Sequence, residues 1–461
     1  MRFLVYGLGR SGKAVARLLL RQGHEVVAFD RQVSAEDAAE FSCLDTDALH
    51  RVVRDEDCSS RFDSCIAAPG VPYDHPDLLA LRAKGVETIG EVEWVYRSVK
   101  ADIVGITATA GKTTVTRWLS DMLGAAGIDA VAGGNISPAL SEVAREGATL
   151  VGEMSSFQLE RCPQLKPKIA VMMNLGVDHI DRHGSVAAYH QAKLNLLANQ
   201  GAADTFIYNA DDGKLAAIAK THPARRLAYS LEAESRTSNP DVVAYLDGNT
   251  LMLAGEPLLE IADIHVQALH VYSNAMAVAL AGWALNLSRA DIRRGLLAFT
   301  GVMGRYSKVA EVEGVSFIED SIATRSLSVE AALRSSQAPI AWIVGGQDKG
   351  ADFAPLYPLI KDKVVYALGI GACGQDFLGK LEPYCPCYYS PHSKGKDALA
   401  DVVGRAFSYL QEEHGGGTIL LAPMAASFDQ FEDYQERARC FRGVVALLES
   451  SHTSRTEGQA L

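Results

Sequence analysis

No apolar run in this chain reaches the roughly 20 residues that a membrane-spanning helix requires, so no membrane insertion is expected. The amino terminus, MRFLVYGLGRSG, lacks the cationic stretch and apolar core of a secretory leader, and a cytoplasmic location is expected. Cysteine is sparse and scattered: of eight residues only Cys385 and Cys387 lie close together. A single Cys-Pro-Cys with no second ligand pair is poor zinc spacing, and ordinary thiols are expected. Positive charge is also short. The 44 Lys and Arg against 56 Asp and Glu leave a formal charge of -12, which argues against nucleic acid as a partner. An anionic substrate remains compatible with a local pocket of basic side chains or backbone amides. There is no fixed-period repeat and no low-complexity tract.

What is present is an α/β pattern. The 461 residues are too many for one core and suggest about three domains. Apolar residues at 48% and charged ones at 22% are ordinary for a globular chain. FLVYG, a helix over about 11–21, EVVAFD and SCIAAPG alternate as in a parallel sheet with crossover helices. A second series opens at DIVGIT and includes ATLVGE, KIAVMMN and DTFIYN. A third opens near Arg305 with KVAEV, VSFIED, IAWIVGG, VVYALG and TILLAP. The expected fold is α/β in three domains, 1–98, 99–301 and 302–461, and the polar tail SSHTSRTEGQAL is expected to fray.

Each series carries a polar cluster where a strand ends. Gly7-Leu8-Gly9-Arg10-Ser11-Gly12 follows FLVY, one residue short of the G-x-G-x-x-G spacing, and Asp30 closes the next strand. Alone, this fits a dinucleotide-binding oxidoreductase or a plain strand-turn-helix equally well. Gly111-Lys112-Thr113-Thr114 between a strand and a helix has the phosphate end of a P-loop, with Lys112 for phosphates and the Thr113 hydroxyl for Mg²⁺. Ile106 stands where the first P-loop glycine usually sits, and a capped helix start is the other reading. Glu153 in EMSSFQL is placed to hold Mg²⁺, or the segment is a capping box with Phe157 and Leu159 in the core. His179 lies in NLGVDHIDRH and suits a cation or a carboxylate. Lys193, on a helix with Tyr189 and Leu197, reads in isolation as a surface lysine. In the last series GGQDKG offers Lys349 on a flexible loop. APMAASFD ends a strand and is expected to begin a helix, with Ser427 and nearby amides facing a carboxylate.

Taken in order, GKTT, GGN, E-x-SSFQL, N-x-x-x-DH, A-K, H-x-x-x-N, GGQDKG and AP-x-x-ASFDQF resemble the Mur ligase family over nearly the whole chain. The resemblance implies an N-terminal Rossmann-like domain, a central P-loop ATPase-like domain and a C-terminal Rossmann-like domain. It implies ATP and Mg²⁺ as cofactors and an acyl phosphate attacked by an amino acid. The N-terminal GLG-x-S-G, Pro69-Gly70 and ASFDQF-x-x-Y-x-x-R resemble the member that adds D-glutamate to UDP-N-acetylmuramoyl-L-alanine, as a monomer. By that resemblance Gly9, Arg10, Ser11, Asp30, Arg31 and Gly70 form the uridine diphosphate pocket, and Asn135 contacts the activated substrate. Gly111, Lys112, Thr113, Thr114, Asn274, Arg305 and Asp320 contact ATP. Thr113, Glu153, His179 and a carbamylated Lys193 hold Mg²⁺. Thr324, Lys349, Ser427 and the backbone at Tyr434 receive D-glutamate.

The chain departs from the family pattern around ATP. Ala108 and Ala110 replace a glycine and an asparagine, Val271 an asparagine, Gly304 a histidine and Ile322 a lysine. An alanine at 108 costs about 1 kcal/mol if φ is positive there. These departures leave two further readings, another Mur-like amino-acid ligase or a catalytically weakened Mur-like binding protein.

Overall fold

The computed structural model describes residues 1–54, 61–266 and 268–458. Within them lie three sheets, and the chain divides into two compact units, Met1–Asp263 with Tyr272–Ala298, and Ile264–Val271 with Phe299–Leu461. The first unit holds two sheets and the second unit one.

The first sheet uses β1 (Arg2–Tyr6), β2 (Glu25–Phe29), β3 (Ser42–Leu44), β4 (Ser64–Ala67) and β5 (Glu87–Ile89) in the order β3-β2-β1-β4-β5. All four pairings are parallel. Helices cover both faces, which is why β1 reads FLVY and β4 CIA without polar alternation, with Phe3, Leu4 and Val5 fully buried. Strands are added outward in one direction from β1 to β3 and in the other from β4 to β5, so the winding order reverses between β1 and β4. Such a switch point opens a crevice at the carboxyl ends of the strands.

The second sheet contains β6 (Asp102–Thr107), β7 (Ala130–Gly134), β8 (Thr149–Glu153), β9 (Ile169–Met172), β10 (Thr205–Asn209), β11 (Arg225–Ser230), β12 (Val242–Asp247), β13 (Thr250–Leu253) and β14 (Glu256–Glu260). Their order is β14-β13-β12-β11-β10-β9-β6-β8-β7. The antiparallel meander β12-β13-β14 has alternating burial, as in TLML, and the sequence reading did not find it. Here the switch point falls at β6, between β8 and β9.

The third sheet is β15 (Ser307–Val312), β16 (Val315–Glu319), β17 (Ile340–Gly345), β18 (Val364–Ile370), β19 (Cys387–Tyr389) and β20 (Gly417–Leu421), ordered β15-β16-β20-β17-β18-β19. Only β15 is antiparallel. No helix begins at Ser427, contrary to expectation. The segment after β20 runs irregularly, bridges Gln347 through Ala426, and enters a helix only at Tyr434. The 422–427 backbone is occupied instead by pairing: Gly345 N donates to Pro423 O, and Gln347 and Ala426 exchange both hydrogen bonds. That last helix continues to Gly458, so part of the tail expected to fray is helical, and 459–461 lie outside the described residues. Among the described residues no helix is long and apolar enough to cross a membrane.

Candidate active site

The loop after β6 is shaped by one side chain. Asn174, just past β9, accepts from Thr109 N and Ala110 N with Oδ1, both at 2.9 Å, and donates from Nδ2 to Ala110 O at 3.0 Å. Gly111 then takes a left-handed φ of 91°, and a Cβ there would meet Asn274 Oδ1 at 2.9 Å. This fixes where the helix Lys112–Ala125 starts, with its free amides at the carboxyl edge of the sheet. Neither Ala108 nor Ala110 is among the residues with positive φ, so the strain attached to losing a glycine at 108 is not incurred. Lys112 Nζ donates to Ala108 O at 2.7 Å and Thr109 O at 3.1 Å.

Parallel register carries three strand ends to this loop. Gly134 pairs with Glu153, Glu153 with Ile106, and Thr107 with Met172. Glu153 is 1% exposed, and its carboxylate accepts from Thr113 Oγ1 at 2.6 Å and from Asn135 Nδ2 at 2.7 Å. Gly134 permits this approach, since a Cβ there would lie 2.3 Å from Glu153 O. The capping box of the second reading forms between Ser155 and Gln158, and Leu159 is buried. Phe157 is not core as that second reading expected. It lies against the rings of His179 at 4.8 Å and His183 at 5.3 Å.

Lys193 is not a surface lysine. It is 1% exposed, donates to Ala108 O at 2.8 Å and lies 4.9 Å from the Tyr189 ring centroid. Burial, reinforced by the Lys112 charge, pushes its pKa down to about 6. His179 has a positive φ of 52° and its Nε2 lies 3.5 Å from Asp178 Oδ2. Among the described residues no three His, Cys, Asp or Glu side chains converge on a metal position. The buried Thr113–Glu153 oxygen pair nevertheless suits Mg²⁺, which takes one or two protein oxygens and completes its shell with phosphates and water. An uncharged Lys193 fits that neighbourhood and an ammonium does not.

Gly9, Arg10, Ser11, Asp30, Gly70 and Asn135 line one cavity of about 410 Å³ at the first switch point. Gly7 has a φ of 97°, and a Cβ on Gly12 would fall 1.8 Å from Gly7 O, so turn and helix close tightly only with glycine at both positions. Arg10 Nη2 donates to Asn135 O at 2.7 Å. Asp30 and Arg31 are placed differently here. Arg31 is exposed and does not line the cavity. Asp30 is committed to backbone, accepting from Leu8 N at 2.6 Å and Gln32 N at 3.1 Å, so it shapes the turn first.

In the second unit Arg305 and Asp320 lie near enough to interact, and Asp320 N donates to Leu421 O at 2.8 Å. Burial and the adjacent Glu319 raise the Asp320 pKa to about 8. Gly304 faces the Tyr434 ring, which a Cβ would meet at 3.1 Å. Lys349 Nζ lies 5.5 Å from the exposed Phe428 ring, Ser427 is 2% exposed, and Thr324 N bonds Ile322 O at 2.7 Å. Sequence reasoning did not place Arg437 in the site. It is fully buried and donates to Ser321 O at 2.8 Å and Ala425 O at 3.1 Å, tying the Asp320 turn to the Ser427 segment. Asn174 was missed likewise, though both stood inside motifs already noted.

Two family models match this chain, the Mur ligase middle domain over 106–282 and the Mur ligase MurD-like N-terminal domain over 1–90. The chain belongs to the Mur ligase family. It is 40% identical over 445 residues to a UDP-N-acetylmuramoylalanine--D-glutamate ligase of Thermus thermophilus, covering 96% of this chain and 97% of the relative. It is 39% identical over 454 residues to the enzyme of that name from Deinococcus radiodurans, covering 97% and 92%. Among solved structures it resembles the UDP-N-acetylmuramate-alanine ligase MurC of Thermotoga maritima, with a TM-score of 0.57, 18% identity and coverage of 98% and 100%. A pseudomurein peptide ligase type C from Methanothermus fervidus gives a TM-score of 0.58 at 16% identity, covering 97% and 99%. These structures support the fold.

Proposed function

We infer that this chain is an ATP-dependent ligase that joins D-glutamate to UDP-N-acetylmuramoyl-L-alanine. The observation that carries this reading is the convergence of Lys112, Thr113, Glu153 and Asn135 at the carboxyl edge of one sheet, in a chain with relatives of that name over nearly its whole length.

A carboxylate is a poor electrophile at neutral pH, so amide formation needs prior phosphorylation. The protein's share of that work is positioning and charge stabilisation rather than a protein nucleophile. The helix N-terminus at Lys112 and the Lys112 ammonium hold nucleotide phosphates, with Gly111, Thr114 and Asn274 shaping their bed. Mg²⁺, when bound, would neutralise charge building on those phosphates. Thr113 and Glu153 would hold it, with His179 and a carbamylated Lys193 as further ligands. Asn135 orients the acyl end of the substrate, whose uridine diphosphate occupies the cavity lined by Gly9, Arg10, Ser11 and Gly70. In the second unit Arg305 and Asp320 serve ATP, while Thr324, Lys349, Ser427 and the Tyr434 backbone receive the carboxylates of D-glutamate. The enzyme acts in the cytoplasm as a monomer.

Purified protein given ATP, Mg²⁺ and UDP-N-acetylmuramoyl-L-alanine should release phosphate only with D-glutamate among candidate amino acids. Release with another amino acid would assign a different ligase of the family. No release with any would favour the weakened binding protein.

A further inference from the structure

A second cleft in the first unit, of about 530 Å³, lies away from the cavity already described and is lined by Tyr73, Arg82, Thr88, Glu160 and Arg161. Its charges do not balance. Arg161 is 1% exposed, and its nearest carboxylate, Glu160 at 3.5 Å, is held more closely by Arg182 at 2.9 Å. Glu87, the other acid on the wall, is taken bidentately by Arg97. One carboxylate, Glu160, therefore serves both Arg161 and Arg182. The Arg161 pKa is pulled down to about 10, mainly by burial, with Arg182 and Arg82 adding repulsion.

Polar groups here are also short of partners. Among the described residues Arg161 Nε, Arg82 Nη2 and Thr88 Oγ1 are buried without a hydrogen-bond partner. Arg82 gives Nη1 to Tyr73 O at 2.9 Å and stacks 4.0 Å over the Tyr73 ring, with Arg161 5.7 Å from the same ring. A buried guanidinium without its own counter-charge is costly, and a planar oxyanion matches its fork. We propose that this cleft is a second ligand site, taking a small molecule through a carboxylate or phosphoryl oxyanion held by Arg82, Arg161 and Thr88. Arg161 also donates to Val71 O at 2.7 Å and Ala68 O at 3.5 Å, the carbonyls flanking Pro69-Gly70. Arg161 thus ties the cleft to backbone that lines the first cavity.

The test is equilibrium dialysis of the full chain with labelled inorganic phosphate, and separately with malonate, at fixed ionic strength. The parent should bind an oxyanion that Lys112→Ala leaves in place and that Arg82→Ala weakens at least about tenfold, the loss of one charged hydrogen bond. Arg82→Lys keeps the charge and the helix and should bind at an intermediate level. Glu160→Gln removes the competing carboxylate and should tighten binding. The tighter of the two probes identifies the oxyanion class. Parent-like binding in both Arg82 variants, or no site beyond the one lost with Lys112, overturns the proposal and leaves the ligase reading untouched.

Discussion

Lys112 and Lys193 donate to one and the same atom, the carbonyl oxygen of Ala108, at 2.7 and 2.8 Å. Two ammonium groups so close repel, and the buried one yields its proton first. Lys193 is therefore a neutral amine at pH 7, the form that combines with carbon dioxide to give a carbamate and release a proton. Protein equilibrated with ¹³C-labelled carbon dioxide should show a carbamate resonance that is absent in Lys193→Ala. That variant should lose at least about a hundredfold in activity, a scale set by losing electrostatic stabilisation, and short carboxylic acids should restore part of it. Activity close to the parent's would reduce Lys193 to a packing residue.

Lys112→Ala should lower phosphate release by at least about a hundredfold while leaving the urea midpoint nearly unchanged. Its amine serves two carbonyls at a half-buried position, so little core is lost. Retention of activity within a few-fold would remove the P-loop assignment.

Ala108→Gly restores the family's residue yet should lower stability, by about 0.5–1 kcal/mol. The native φ is one alanine accepts, so glycine only adds freedom to the unfolded chain. Urea unfolding measures it, and a stabilised variant would contradict the geometry.

Asp320 provides the pH test. Its folded pKa of about 8 lies above the ordinary carboxyl value of 3.8, so the folded state holds a proton that the unfolded state releases between those limits. Its contribution is full below that lower value and is lost as pH rises toward about 8. Asp320→Asn cannot ionise, so its urea midpoint should gain on the parent's progressively over that range, while ATP affinity falls. Parallel midpoint curves would show that Asp320 ionises freely in the folded protein.

Motif order and apolar strands made much of this molecule readable from sequence. The cores of β1, β6, β8 and β20 are continuous apolar runs, and residues at their carboxyl ends share an edge by the logic of parallel sheets. Five of the six residues assigned to the uridine pocket, all but Arg31, line one cavity for that reason. What was not readable depended on partners distant in sequence. Lys193 looked like a surface residue because helical periodicity cannot reveal which strand end covers it. Asp30 and Arg31 are neighbours with different fates, since only Asp30 finds the Leu8 amide. The Ser427 segment looked like a helix start because its pairing partner, Gln347, lies far upstream.

Asn174 has an evolutionary consequence. The loop after β6 takes its shape from a side chain supplied just past another strand, through bonds to main-chain atoms of Thr109 and Ala110. Main-chain partners are indifferent to the side chains they carry, so the exposed residue 110 is free to drift while Asn174 is not. Divergence in this lineage should therefore accumulate inside the loop and stop at its brace.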